Sequence, residues 1–272
     1  MKMKLLSSIV AAVGLVGAPL ALAANYQAEV SAAYEDIDYA DSNGEGKFIG
    51  LEGKYYFAPV NTSEHPLAEA AFIEKASNVY LQLGTEEYKF GGEKSDLYGR
   101  VIGADFYIPN TIFFLGAGVA EVKSKAPASL GQSYDWESAW FVKAGVAPIE
   151  GLLVWSEFTE DIDVNDEWNI NGKYVLPLRG EQALNLEASY EKSKLGWADD
   201  TITMSADYYI DRHLSLGAGF VNTSYDSSVA DNADTDYFVR ARNFFTDKAS
   251  LELSYVDGEF ENSLLVGGTI RF

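Results

Sequence analysis

The chain has 272 residues, with 20 Lys and Arg against 41 Asp and Glu, a formal net charge of −21, and no cysteine. That balance argues against nucleic acid as a partner, because phosphate backbones are held by clustered cations. The missing thiols exclude a disulfide framework and a thiolate metal site.

Residues 1–23 are expected to be a secretory leader. Lys2 and Lys4 start it, Ile9 to Val16 is its apolar centre, and Ala21-Leu22-Ala23 supplies the small-x-small site. Cleavage is expected before Ala24, or one residue later. The apolar run is too short for the ~20 residues of a spanning helix, and Pro19 interrupts it. Residues 24–272 then form one unit.

From Tyr26 onward the hydropathy alternates with period 2, the period of a strand with two unlike faces. Tyr26, Val30 and Tyr34 share one face, Glu29 and Glu35 the other. Ile49, Leu51, Tyr55 and Phe57 alternate with Glu52 and Lys54, and Ala58-Pro59 is expected to end that run. The connection from Pro59 to Asn78 is long and contains Leu67-Ala68-Glu69-Ala70-Ala71-Phe72. These are helix formers, so a short helix or an early start to the next strand are both open. The alternation resumes around Trp136–Val146, Trp168–Leu176, Leu184–Tyr190, Ile202–Ile210 and Tyr237–Phe245.

In total about fourteen strands are predicted, beginning near residues 26, 47, 79, 96, 112, 135, 152, 167, 182, 200, 213, 235, 248 and 260. Twelve is the alternative if two weak hairpins merge. Each is about as long as the 9–11 residues with which a tilted strand crosses a hydrocarbon layer. Turns such as Pro109-Asn110-Thr111 and Thr246-Asp247-Lys248 are short, whereas Lys123–Tyr134, Asp161–Glu167 and Asp226–Asp236 are longer and acidic. Two turn classes are the expected asymmetry of a transmembrane barrel. The fold class is therefore all-β, a closed antiparallel transmembrane barrel.

The last stretch, Ser263 to Phe272, puts Leu264, Val266, Gly268, Ile270 and Phe272 on one face and Arg271 on the other. This ending resembles the closing strand of Gram-negative outer-membrane barrels, where the resemblance implies that Leu264, Val266, Ile270 and Phe272 form the signal read by the barrel-insertion machinery. Tyr56-Phe57-Ala58-Pro59-Val60 with Pro66-Leu67-Ala68-Glu69-Ala70-Ala71-Phe72 is similar to the general bacterial porin family. That resemblance implies an outer-membrane channel and carries over no named functional residue.

Chemistry is sparse. His65 and His213 are the two histidines, both in predicted turns, so a nucleophile lacks its usual general base. No enzyme and no cofactor is expected. Asp161, Asp163, Asp166 and Glu167, and Asp226, Asp231, Asp234 and Asp236, are read as a solvated rim that could be bridged by divalent ions to lipopolysaccharide. Outward Tyr26, Tyr55, Tyr174, Tyr208, Trp136 and Trp168 suit aromatic girdles. Phe48, Tyr56, Phe141, Trp155, Tyr209 and Phe238 would face the lumen, where a sugar-stacking slide is the sharper reading.

Fourteen strands lie closer to the open barrels than to the filled eight-stranded ones, so a wet lumen is expected. Its lining would carry the acids Glu29, Glu52, Asp105, Glu137, Glu157, Glu187, Glu191, Asp207 and Glu252, and the bases Lys54, Lys143, Lys173, Arg240, Arg242 and Arg271. Arg240, Arg242 and Arg271 form either a functional basic strip or plain charge pairs. The functional expectation is passive diffusion of small polar solutes and ions with weak cation preference, in the outer membrane among its lipids. The alternatives are a selective uptake channel, for an oligosaccharide for example, and a non-conducting surface barrel. No long loop able to fold inward is foreseen, which favours a monomer.

Overall fold

A computed structural model of the protein describes residues 25–39, 44–126, 135–160, 167–192, 198–225, 233–259 and 261–272. The expected leader, Asp161, Asp163, Asp166, Asp226 and Asp231, and the side chain of Glu167 lie outside these residues.

Fourteen strands close into one antiparallel barrel in which each strand pairs with its sequence neighbours and the last pairs with the first. They are β1 (Asn25–Tyr39), β2 (Gly44–Asn61), β3 (Asn78–Phe90), β4 (Glu93–Tyr107), β5 (Phe113–Lys125), β6 (Glu137–Val146) and β7 (Leu152–Thr159). β8 (Glu167–Pro177), β9 (Ala183–Lys192), β10 (Ala198–Tyr209), β11 (Leu214–Tyr225), β12 (Asp234–Thr246), β13 (Ala249–Asp257) and β14 (Glu261–Arg271) complete it. The register of β1 on β14 runs from Glu29↔Arg271 to Tyr39↔Glu261. Phe272 fastens the seam, donating its N–H to the Ala28 carbonyl (2.8 Å) and accepting from the Gln27 N–H (2.7 Å). Closure leaves no unpaired edge, which a lipid-embedded sheet requires.

Side chains sort as the alternation demands. Ile49, Leu51, Leu81, Ile102, Val239 and Leu264 point out and are exposed. Glu29, Phe48, Val101, Asp207 and Leu265 point in and are buried. An apolar face of this extent, facing water, would be an aggregation surface; around a closed barrel it is the lipid-facing band.

Three local expectations change. Pro59 does not end β2, which continues to Asn61. Pairing with β3 stops at Tyr56↔Asn78, so the N–H that Pro59 lacks has no partner to miss on that side. The register slips between Tyr26 and Ala28, and this bulge turns Tyr26 inward to 2 % exposure, out of the girdle, while Tyr55, Tyr208, Trp136 and Trp168 remain exposed. Ile270, on the outward face of β14, is itself buried at 6 % exposure, unlike Leu264, Val266 and Phe272.

Candidate functional site: the lumen and the segment across it

The long connection between β2 and β3 folds inward. Pro66 precedes a 3-10 turn, Leu67–Glu69, which runs into α1 (Ala70–Ile73). Lys75, at a positive φ of 50°, reverses the chain toward β3. The segment is too short to be a stable helix alone; contacts around the barrel wall hold it. The Leu67 N–H donates to the Arg212 carbonyl (2.9 Å), and Arg271 Nη1 donates to the Leu67 carbonyl (2.7 Å). Tyr209 OH donates to Glu69 Oε1 (2.6 Å), Lys173 Nζ lies 2.8 Å from Glu69 Oε2, and Lys75 Nζ donates to the Ala147 carbonyl (3.2 Å).

The apolar side chains of the segment follow the same plan. Ala70 packs with Tyr26, Tyr56 and Val60. Phe72 touches two clusters on other parts of the wall, Phe114 with Ala147 and Leu153, and Val175 with Ala183 and Tyr209. Leu67 and Ala70 have no solvent exposure. A segment anchored on β1–β2, β5–β8, β10 and β14 crosses the lumen at the end that carries residues 25 and 272. The expectation that nothing folds inward is thus corrected. The reason is that Leu67 to Ile73 is apolar except for Glu69, and only the barrel interior could bury it.

The charged lining forms pairs above the segment. Glu29 accepts from Tyr56 OH (2.7 Å) and from Arg271 Nε (3.1 Å), with Lys54 Nζ 3.7 Å away. Lys54 also meets Glu52 at 3.1 Å. Lys143 bridges Asp105 (3.2 Å) and Glu157 (3.8 Å), and Lys173 reaches Glu187 (2.8 Å) as well as Glu69. Arg240 grips Asp207 with two nitrogens, at 2.6 and 2.5 Å, and Arg242 pairs with Glu252 at 2.5 Å. A cavity of about 280 Å³ between the segment and the wall is lined by Glu29, Lys54, Asp105, Lys143, Lys173 and Arg271 among others.

Two of these bridges span an intervening strand, and glycine makes room for them. Gly217 lies between Asp207 and Arg240 in the register. A Cβ there would stand 2.9 Å from the Asp207 Cγ and 3.1 Å from the Arg240 Cγ. Gly116 sits likewise between Asp105 and Lys143. The three arginines do not make a free strip: Arg240, Arg242 and Arg271 each hold a carboxylate, and Arg271 also stacks on Tyr26 (4.3 Å) and Phe244 (4.7 Å).

The other half of the lumen differs. Its inward charges are the acids Glu35, Glu86, Glu93, Glu137, Glu191, Asp234, Asp236 and Glu261, with no inward base among the described residues. Ala33, Phe48, Leu97 and Leu265 pack together there, as do Tyr80, Val101, Ala120 and Phe141 below them, so the wall from β14 to β6 is thickened by apolar side chains. The sugar-slide expectation fails on this point. Phe48, Tyr56, Phe141 and Tyr209 are 1, 3, 6 and 2 % exposed, their faces already covered by neighbours. Trp155 and Phe238 remain partly exposed.

His65 pairs with Glu74 at 3.0 Å, and His213 lies in the β10–β11 turn near Asp247. Asp211 in that turn accepts the backbone N–H groups of His213 (2.7 Å) and Leu214 (2.9 Å); these bonds hold its carboxyl below the usual range. Among the described residues no group of three His, Asp or Glu side chains is disposed to hold a metal. Sequence reasoning missed Glu69, to which the lumen-facing Tyr209 donates, and Asn185, which donates to both Asp207 (3.0 Å) and Glu187 (2.9 Å). The one available signal was a single acid in the apolar run Leu67–Ile73.

Several solved structures are similar to this chain. Omp33 of Acinetobacter baumannii matches with a TM-score of 0.69 at 24 % identity, over 92 % of this chain and 99 % of that one. A FadL homologue of Pseudomonas aeruginosa matches with a TM-score of 0.57 at 10 % identity, over 91 % and 90 %. A deletion mutant of TodX, a monoaromatic hydrocarbon channel, matches with a TM-score of 0.57 at 9 % identity, again over 91 % and 90 %. At these identities the likeness shows the fold. The search of curated proteins returned no match. The family model described as "Putative general bacterial porin" matches residues 2–272. The chain therefore belongs to that porin family, an outer-membrane barrel with a channel role.

Proposed function

We propose that the protein lets small polar solutes and ions diffuse passively across the outer membrane, with weak preference for cations. The carrying observation is the axial division of charge in the lumen. Toward the terminal end, Glu29, Glu52, Glu69, Asp105, Glu157, Glu187, Asp207 and Glu252 face Lys54, Lys143, Lys173, Arg240, Arg242 and Arg271, while among the described residues the far half carries acids alone. Barrels of this class place their short turns in the periplasm, so the acid-only half is the outer mouth. A low-dielectric wall focuses that field and concentrates cations at the entrance. Paired charges farther in give a polar wall with little net sign.

Reversal potential across a KCl gradient in a planar bilayer tests the reading. A small cation-selective potential is expected at low salt, shrinking as screening shortens the field to ~10 Å at 0.1 M. An anion-selective sign, or no conductance after verified insertion, overturns it. The route to the membrane belongs to the same proposal: residues 1–23 are removed on export, and the insertion machinery reads Leu264, Val266, Ile270 and Phe272. N-terminal sequencing of the mature protein should begin at Ala24 or Asn25.

A further inference from the structure

The outer wall carries a second charged region, on the lipid side and away from the lumen. Outward positions near the outer ends of β2 to β5 hold Lys47, Lys89, Lys94, Arg100, Lys123 and Lys125, against Glu45, Glu87, Asp96 and Glu121. Six bases against four acids is a net excess of two cations, on a chain whose formal charge is −21. At the outer ends of β12 to β14 and β1, the outward charges among the described residues are Asp36, Asp38 and Asp257. On β9 and β10 the outward Lys192 and Asp200 pair at 3.0 Å and cancel, so among the described residues the net positive region lies on the β2–β5 side.

Its layering matters as much as its sum. The side chains of Lys89, Lys94, Arg100 and Lys125 are 46, 50, 46 and 62 % exposed, whereas those of Asp96, Glu87 and Glu121 are 13, 29 and 29 %. Lys94 is held by Glu87 (2.6 Å) and Asp96 (3.1 Å), and Arg100 by Glu121 (2.5 Å). The acids fix the stems from beneath, and the ammonium and guanidinium groups form the outer layer; of the acids only Glu45 reaches as far out.

The height of the region names its neighbour. Arg100 pairs in register with Leu83 and Glu121, two residues along β4 from Ile102, which faces lipid and is exposed. Its guanidinium stacks on Trp136 at 4.3 Å, and Tyr98 beside it is exposed. Aromatics of this kind mark the headgroup level. The lysines stand above it, because β2, β3, β4 and β5 run 18, 13, 15 and 13 residues, beyond the 9–11 that span the hydrocarbon.

We infer that this surface directly binds the phosphoryl headgroup of a bis-phosphorylated glycolipid of the outer leaflet. The contact is cation to phosphate, without a bridging divalent ion. Basic side chains at headgroup height gain affinity for an anionic surface, about fivefold for each Lys or Arg.

The test uses the full mature protein in detergent with EDTA, titrated with bis-phosphoryl lipid A and followed by native mass spectrometry. The variant K89Q/K94Q/K125Q should bind at least tenfold more weakly, and dephosphorylated lipid A should bind wild type no better than the variant binds the phosphorylated form. K192Q, on the far wall, should leave binding unchanged. Equal titration of wild type and the triple variant overturns the assignment. So does loss of binding in EDTA, which means ion bridging, or equal binding of phosphatidylglycerol, which means any anionic lipid. Displacement by equimolar inorganic phosphate means a free-phosphate site and overturns it too. Heat-modifiable gel migration and unchanged bilayer conductance report that the variant barrel is folded. Lipid binding does not depend on conduction, so failure of the porin reading would leave this result standing.

Discussion

Replacing Glu69 with Gln should loosen the segment that crosses the lumen and raise the fraction of time the channel is open. Glu69 is 2 % exposed. Its carboxylate accepts from Tyr209 at 2.6 Å and faces Lys173 at 2.8 Å. Breaking a buried pair by removing one partner costs ~3–5 kcal/mol when the remaining charge is stranded. Lys173 is not stranded, because Glu187 holds it at the same distance, and Gln can still accept from Tyr209. What is lost is one charge-assisted hydrogen bond, worth ~1.5–3 kcal/mol. Taking ~2 kcal/mol, the ratio of docked to undocked segment falls roughly thirtyfold. A segment docked ~100:1 would then be undocked about a quarter of the time, from about one per cent. Single-channel recording of E69Q beside wild type should show longer or more frequent open intervals at the same unit conductance. If E69Q matches wild type, and a variant in which a Gly-Ser turn replaces residues 63–74 also matches it, the segment does not limit the path and the reasoning is wrong.

Other consequences are sharp enough to measure. Gly217→Val should push into Asp207 and Arg240 and destabilise the barrel by ~1–3 kcal/mol, seen as a lower temperature for loss of the compact gel form. Arg240→Ser with Arg242→Ser should free Asp207 and Glu252 and strengthen cation preference in the reversal potential; an unchanged value would place both side chains off the ion path. Asp211 has a lowered pKa because of the His213 and Leu214 N–H bonds. Its stabilisation is therefore full above the ordinary carboxylate range and lost as pH falls through the lowered value. Asp211→Asn should flatten the acid side of the thermal stability curve between about pH 5 and 2, with a small amplitude because the turn is exposed.

The barrel was legible because period 2 is local. Every strand was placed within three residues of its observed start: the second begins at Gly44 rather than 47, the fourth at Glu93 rather than 96. Facing was legible for the same reason: the fifteen candidates named from the alternation sit at interior-face positions of the strand register. Partners were not legible. The ion pair between Asp207 and Arg240 needs the register across β11 and a glycine at position 217. Neither the stagger nor the emptiness of a glycine position is written in the alternation of either strand.

The lumen shows the deeper limit. Period 2 separates lipid from interior but does not say whether the interior is water or protein. Phe48, Leu97 and Leu265 occupy inward positions between glycines and serines on the same strands, and only closure brings them into one cluster. Leu67–Ile73 has the composition of a short helix and no amphipathic partner nearby in sequence. Its partners, Arg271, Tyr209, Lys173 and Ala147, lie on four separate strands or turns. They converge only when β14 reaches β1. A wide barrel drawn from strand number alone is thus narrowed twice, once by apolar packing on the β14–β6 side and once by this segment. If the protein conducts as proposed, the path runs along the polar β7–β12 side and depends on the hold that Glu69 keeps on the segment, so the charge on that one residue is where E69Q tests the channel.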